Sequence, residues 1–227
     1  MTVNEVMAAL EDMGTEQNQK VYKRHGAKEP LFGVSFANLK KLKKSIKKDH
    51  NLALQLWDTK NVDAQLLACM VADAEQVTLT QANAWINDTS YYALADEVGD
   101  LVAHSPSARK LMDKWMKSKK EFVKQGGYTV LSSLLRKDPS QFSQAECETF
   151  LDTIATEIHN APNRARYTMN VAVIAFGAWH PECADMAVET AKRIGKVDVD
   201  HGDTNCKTPD AASYIEKTLA YQKAKTR

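Results

Sequence analysis

The sequence predicts an all-α fold, an α-α superhelix of stacked helix pairs. From Ser35 to Lys137, segments of helical length follow one another, each with apolar residues at helical spacing, and none shows the alternation typical of a strand. Short polar turns separate these segments. A helix of this kind buries its apolar stripe only against its neighbours, so consecutive helices of about 10 to 17 residues favour an α-solenoid.

The N-terminal region predicts two short helices. Val3–Met13 alternates apolar and acidic positions and forms the first, which Gly14 ends. Thr15 caps the second, which runs to about Arg24. A loop then leads to Ser35, where the next helix starts.

The middle of the chain continues the same pattern. In the Ser35 helix, Leu39 and Leu42 recur at helical spacing, with lysines on the remaining faces. Asn51 starts the following helix, and Val62–Ala72 forms a third. Further breaks are predicted near Lys60, Glu75, Asp88, Ser105, Ser118 and Lys137.

The C-terminal part predicts four more helices. They are Ser143–Ile158, Asn163–Ala178, Pro181–Ile194 and Thr208–Leu219. The chain therefore holds about twelve or thirteen helices, or six pairs, and a pair with its turns occupies about 35 to 40 residues, near the period of HEAT repeats. We predict one HEAT-like domain over residues 1–227. The irregular segment 195–209 interrupts it, and the sequence does not give a role for this loop.

The composition of the chain limits where the protein can be located and which chemistry its cysteines can have. There is no apolar run long enough for a membrane span and no basic-then-apolar N-terminus of a signal peptide. The four cysteines lie far apart without a CxxC pair, as expected for reduced thiols. We expect a cytoplasmic monomer without a cofactor.

The net charge of +1 conceals a strong alternation along the sequence. Residues 61–105 contain seven acidic and no Lys or Arg residues, whereas residues 106–137 contain nine basic and two acidic residues. The basic run favours phosphate contact, and two arginines at a later helix start could add to it. These residues are Arg109, Lys110, Lys114, Lys117, Lys119, Lys120 and Lys124, with Arg164 and Arg166. The alternative is that they form the solvated faces of surface helices.

One set of residues near the C-terminus has side chains that bind zinc. The set is His180, Cys183, His201, Asp203 and Cys206. Its spacing matches no standard zinc finger, and the acidic members could equally serve as caps and turn residues. We therefore expect no metal site.

Several motifs together resemble a known family. They are Gly33-Val-Ser-Phe-x-x-Leu39, Leu52-Ala-x-x-Leu56-Trp57, Asp63-Ala-x-x-Leu67-Ala68, Tyr92-x-x-x-Asp96 and the tail from Ile194 to Asp210. This combination is similar to the AlkD-type DNA alkylation repair proteins, which are built of HEAT-like repeats, and it covers nearly the whole chain.

The resemblance implies a function and roles for several residues. Active members of the family bind duplex DNA by its backbone and hydrolyse the N-glycosidic bond of cationic N3- or N7-alkylpurines. A carboxylate stabilises the developing sugar cation. The family's Trp-x-x-x-Asp segment falls on Tyr92 and Asp96, its phosphate-holding Arg on Gln125, and its second Trp on or near Asn170.

Three functions follow as hypotheses. The first is a DNA glycosylase that acts on alkylated duplex DNA, with Asp96 as the electrostatic catalyst and Tyr92 beside it. The second is a non-catalytic DNA-binding protein, because Gln125 and Asn170 replace two of the four groups that the family uses. The third is a protein-interaction scaffold, as many solenoids are. DNA contacts are expected from the basic run, Arg164, Arg166, Gln125 and Asn170.

Overall fold

The structure is a computed structural model that describes residues 1–225. Within this range it contains thirteen α-helices and no strand, and the one β-bridge pairs Gly14 with Val34. The all-α prediction is therefore confirmed. No helix in the described range is long and apolar enough to cross a membrane.

The helices follow the predicted order closely. They are α1 Val3–Met13, α2 Glu16–Arg24, α3 Phe36–Ile46, α4 His50–Asp58, α5 Val62–Val71, α6 Leu79–Asp88, α7 Tyr92–Ala103, α8 Ala108–Met116, α9 Glu121–Lys137, α10 Gln144–Glu157, α11 Asn163–Trp179, α12 Ala184–Ile194 and α13 Ala211–Lys225. Short 3-10 turns lie at 74–76, 139–141, 158–160 and 181–183.

Polar side chains fix where many of these helices begin. Thr15 and Ser35 accept hydrogen bonds from the backbone N–H groups of Asn18 and Asn38. Ser143 forms a reciprocal capping box with Glu146 at the start of α10. Each cap satisfies an N–H group that has no partner within its helix.

The chain divides into two compact units. Unit 1 comprises Met1–Leu111 with His201–Asn205, and unit 2 comprises Met112–Asp200 with Cys206–Arg227. In unit 1, α5 packs against α3, α4 and α7. The indole rings of Trp57 and Trp85 stack in its core with centroids 4.2 Å apart.

A buried carboxylate organises the segment that leads into α3. Asp63, which is fully buried in α5, accepts hydrogen bonds from the backbone N–H groups of Phe32, Gly33 and Val34 at 2.6, 3.0 and 2.7 Å. Asp63 thereby satisfies three donors that belong to no helix. Its role in the structure is to hold this loop.

Unit 2 is built around α11. This helix packs along α9 and also contacts α10, α12 and α13. The aromatic rings of Phe142, Phe150 and Phe176 form a cluster with centroids 6.0 to 6.5 Å apart. The aromatic cluster fills the space where α10 meets α11.

One face of α11 also holds part of the irregular segment. Asn163 exchanges two hydrogen bonds of 2.7 Å with the backbone of Asp200. Arg166 donates from Nη1 to the carbonyl oxygen of Asp198 at 2.7 Å. Asn170 donates from Nδ2 to the carbonyl oxygen of Pro209 at 3.0 Å.

The last helix begins three residues later than expected. The sequence placed Pro209 in the first turn of a helix from Thr208, but α13 starts at Ala211. The carboxylate of Asp210 accepts a hydrogen bond from the N–H group of Ser213 at 2.8 Å. The acid rather than the threonine therefore caps this helix.

Candidate functional site

The residues that the resemblance marks as catalytic lie at the start of α7. Tyr92 is the first residue of the helix and Asp96 follows one turn later, so both side chains lie on the same face. Both are half-buried. The Tyr92 ring contacts the rings of Tyr91 and His25 edge-on, with centroids 5.0 and 5.8 Å apart. Packing therefore fixes the position of Tyr92 beside the carboxylate.

A second carboxylate next to Asp96 has altered acidity. Burial, together with the charges of Asp100 and Asp96, raises the pKa of Glu97 to about 7. Lys43 and Lys40 of α3 oppose this rise. Near neutral pH the α7 cluster therefore contains an acid, Glu97, that holds its proton in part of the molecules.

This environment contains three candidate residues that the sequence analysis missed. In the sequence, Glu97 was only an acidic neighbour of Asp96. The available signal was the presence of three acids, Asp96, Glu97 and Asp100, within about one helical turn. Lys40 and Lys43 looked like solvated lysines of α3, and both are indeed exposed. Only the packing of helices in unit 1 brings their positive charges close enough to act on the α7 carboxylates.

The basic run lies on α8 and in the connection to α9. Five of its lysines are exposed, and Arg109 is half-buried. The exposed residues are Lys110, Lys114, Lys117, Lys119 and Lys120. Exposed ammonium groups in a short stretch can neutralise phosphates and release counterions.

Lys124 differs from the rest of the run. Its side chain is only 12% exposed and its Nζ lies 2.6 Å from the Glu157 carboxylate. The nearby Glu121 carboxylate accepts a 2.7 Å hydrogen bond from the backbone N–H group of Arg164. Lys124 therefore joins α9 to α10, and Glu121 joins α9 to α11, within unit 2.

Two further predicted DNA contacts occupy internal positions, and a third, Arg166, is half-buried. Gln125 and Asn170 are 1% and 2% exposed, so neither reaches the surface of the protein. The guanidinium of Arg166 donates to the carbonyl oxygens of Asp198 and Ala161. Arg166 and Asn170 hold the backbone at Asp198 and at Pro209, so their polar groups are engaged within unit 2.

A small cavity adjoins the basic run in unit 2. It has a volume of about 280 Å³ and is lined by Asp113, Met116, Lys117, Tyr128, Thr149, Phe150, Thr153 and Glu157. This volume lies at the lower limit of small-molecule sites. We assign it no chemistry.

Three of the four thiols are poor nucleophiles. Cys69, Cys147 and Cys183 are buried, and burial raises the pKa of each thiol. A catalytic cysteine needs the opposite shift, because the thiolate is the reactive form. Cys206 is exposed.

Part of the zinc-type residue set does come together. The ligand atoms of His180 and Cys183 lie within 4.8 Å of each other and of Cys147 Sγ. All three residues are buried. The sequence analysis missed Cys147 because it lies far earlier in the chain and reads as an ordinary apolar position of α10.

The fold is that of a HEAT-like helical repeat protein related to DNA repair enzymes. The chain belongs to the DNA alkylation repair enzyme family, whose sequence model matches residues 6–215. The family expected from the motifs is thus confirmed.

Known relatives extend over the whole chain. A protein of Listeria innocua is 29% identical over 224 residues, which cover 96% of this chain and 97% of the relative. A protein of Listeria monocytogenes is 28% identical over the same shares. Both relatives are uncharacterised.

A solved structure matches the fold closely. It superimposes with a TM-score of 0.90 at 29% identity and covers 98% of this chain and 95% of its own. That protein represents a new family related to the HEAT-like repeat DNA glycosylases, with affinity for branched DNA structures. The HEAT-like repeat fold predicted from helix spacing is therefore confirmed.

Proposed function

We propose that this protein binds DNA, including branched DNA, through the exposed lysines of α8 and the α8–α9 connection. The observation that carries the proposal is the exposure of Lys110, Lys117, Lys119 and Lys120 within one short stretch. The affinity of the matched structure's family for branched DNA supports it. Contacts to phosphate rather than to bases are appropriate for a branched DNA, because a branched DNA is distinguished by the directions of its arms and not by its base sequence.

Lys40 and Lys43 form a separate candidate for phosphate contact. They belong to unit 1 and lie close enough to the α7 carboxylates to lower the pKa of Glu97. A phosphate held by these lysines would bring a sugar near Asp96. This second group of lysines therefore relates DNA binding to the helix on which the resemblance places catalysis.

Charge reversal tests the binding proposal directly. We expect Lys117→Glu with Lys120→Glu to weaken binding of a fluorescent four-way junction at least tenfold, because roughly one phosphate contact is lost per lysine. The slope of log affinity against log salt should fall by about one for each. Fluorescence anisotropy over a salt series measures both quantities.

The matched control is Lys207→Glu with Lys217→Glu, which changes the net charge by the same amount. Both lysines are exposed and lie in unit 2 outside the basic run. Equal losses in both double variants would show a general charge effect and contradict the proposed surface. No DNA affinity of the wild type at low salt would favour the protein-interaction scaffold instead.

A second candidate function is excision of cationic alkylpurines. The specific observation that favours it is the half-buried Asp96 carboxylate fixed one turn from Tyr92. The alkylated base leaves as a neutral molecule, so the main demand on the enzyme is to stabilise positive charge on the sugar. A carboxylate in a partly desolvated site meets that demand.

Release of methylated purines from alkylated duplex DNA tests this second function. If the protein is a glycosylase, Asp96→Asn should reduce the rate at least about 100-fold, because an isosteric amide no longer offsets the sugar cation. Asp100→Asn, one turn further along α7, is the control and should retain most of the rate. Absence of release from the wild type would leave DNA binding as the function.

A further inference from the structure

The structure assigns a zinc site to Cys147, His180 and Cys183 in unit 2. The two Sγ atoms and a ring nitrogen of His180 lie within 4.8 Å of one another. Two cysteines and one histidine are a common ligand set for Zn²⁺. We propose that these three side chains bind one Zn²⁺ ion that joins α10, the end of α11 and the start of α12.

The hydrogen bonding of His180 leaves one nitrogen for an ion. Its Nε2 lies 2.9 Å from the carbonyl oxygen of Phe142, which can only accept, so Nε2 carries the proton. The Nδ1 lone pair is then available, and this atom is buried without a hydrogen-bond partner. A histidine that donates to a backbone carbonyl from its other nitrogen is the usual arrangement at metal sites.

The local backbone brings the three ligands together from two places in the chain. Cys147 lies in the first turn of α10, which the capping box of Ser143 begins. His180 ends α11, and Cys183 lies in the turn before α12, where its N–H group donates to the carbonyl oxygen of His180 at 3.0 Å. A metal bond at this place would therefore hold three consecutive helices together.

Charge balance favours a divalent thiophilic ion. Binding releases one proton from each thiol, and the two thiolates then neutralise the charge of Zn²⁺ in a region where an unbalanced charge is costly. Cys147 and Cys183 are fully buried and His180 is 5% exposed. Three protein ligands leave a fourth tetrahedral position, which a water molecule can occupy.

A disulfide between Cys147 and Cys183 explains these observations less well. Both thiols are free in the structure. A disulfide would also leave the buried Nδ1 atom of His180 without a partner, which costs about 1 to 3 kcal/mol. Zinc uses all three groups.

Metal titration of the reduced, full-length protein tests this site. After treatment with a chelator, the wild type should bind one equivalent of Zn²⁺ in competition with a chromophoric chelator. With Co²⁺ it should show the near-ultraviolet absorption of a thiolate–cobalt bond. We expect Cys147→Ala and Cys183→Ala to lose this absorption. Their affinity for Zn²⁺ should also fall by more than roughly 10- to 100-fold, which is the loss typical of changes to residues that only support a metal ligand.

Two cysteines outside the cluster supply matched controls. Cys69→Ala removes another buried thiol and Cys206→Ala an exposed one, and both variants should bind zinc like the wild type. A reduced wild type that binds no zinc would overturn the proposal. Binding with an unchanged cobalt spectrum in Cys147→Ala would overturn it as well.

A measurement on the wild type covers the case in which a variant fails to fold. Zinc should protect Cys147 and Cys183 from alkylation in partial denaturant while Cys69 and Cys206 react, as mass spectrometry can show. Equal reaction of all four thiols with and without zinc would contradict the site. So would a Cys147–Cys183 disulfide that forms readily in a protein that takes up no zinc.

Discussion

Asp63 illustrates how a single residue can determine a loop that no local signal specifies. Its carboxylate accepts three backbone hydrogen bonds from the segment before α3. Burial nevertheless raises the pKa of Asp63, although the three donors act in the opposite direction. In the sequence this residue was only one letter of a family motif, because its partners lie about thirty positions away.

Glu97 makes a prediction about stability and pH. Its pKa in the folded protein is about 7, above the ordinary value of 4.5. Below pH 4.5 both the folded and the unfolded states hold the proton, so Glu97 favours neither. As the pH rises from there to about 7, the unfolded state loses its proton first, and the free energy of unfolding falls.

We expect this effect to lower the free energy of unfolding by about 2 kcal/mol between pH 5 and pH 8. Glu97→Gln should remove that loss, so the variant gains stability over the wild type at pH 8 and much less at pH 5. Urea unfolding at the two pH values measures the difference. Glu75→Gln, an exposed acid of the same unit, should change neither value, and an equal pH dependence of Glu97→Gln and wild type would contradict the pKa of Glu97.

Single positions also show where inference from a family motif ends. The motif aligned Gln125 and Asn170 with groups that touch DNA, yet both side chains are buried. An alignment of motifs predicts where a residue lies along a helix, but it does not predict which neighbouring residues bury that side chain. Asp96 and Tyr92 keep partly exposed side chains, and their role in a site remains a prediction.

At the scale of elements, helix boundaries could be predicted where a cap is local. Thr15, Ser35 and Ser143 cap helices that the sequence already began at these residues. The start of α13 was misplaced, since two capping signals, Thr208 and Asp210, lie close together and proline fits near either. The local sequence does not determine which of the two residues caps the helix, because the path of the preceding loop determines it.

The close approach of α9 to the end of α8 gives a prediction of its own. A methyl group at Gly127 would lie 2.5 Å from the backbone nitrogen of Met116 and 2.9 Å from the carbonyl carbon of Trp115. Backbone atoms cannot rotate away as a flexible side chain can. We expect Gly127→Ala to lower the free energy of unfolding by about 2 kcal/mol, although alanine favours a helix by about 1 kcal/mol.

Chemical denaturation of Gly127→Ala measures this loss. Ser132→Ala, a half-buried position of the same helix, serves as the control for a change of side chain without a new contact. The prediction would be contradicted if Gly127→Ala raised the free energy of unfolding by the amount expected from helix propensity alone. That result would show that α8 and α9 can move apart without a loss of stability.

At the scale of the whole molecule, the fold class could be predicted because it depends on repetition. Each helix carries its own apolar stripe and ends within a few residues of a polar turn, so thirteen largely independent signals agree. The division into two compact units has no such repeated signal. The prediction of one continuous domain over residues 1–227 remains a prediction.

Each candidate site is formed by residues that lie far apart in the sequence and come together in the folded chain. The zinc ligands come from α10, α11 and the turn before α12, and the lysines that influence Glu97 come from α3. Sequence spacing cannot reveal such groups, because residues far apart in the chain meet only after packing. The charge blocks were visible in the sequence, whereas the burial of Lys124 against Glu157 was not.

The hydrogen bond from Asn170 to Pro209 has an evolutionary consequence. Position 170 falls on or near the place where the family resemblance puts a tryptophan, and here the Asn170 side chain is 2% exposed. A tryptophan at this position would be much larger than the asparagine, and it would compete with the backbone around Pro209 for the same place on α11. Exchange of one arrangement for the other therefore requires coordinated changes in α11 and in the chain around Pro209.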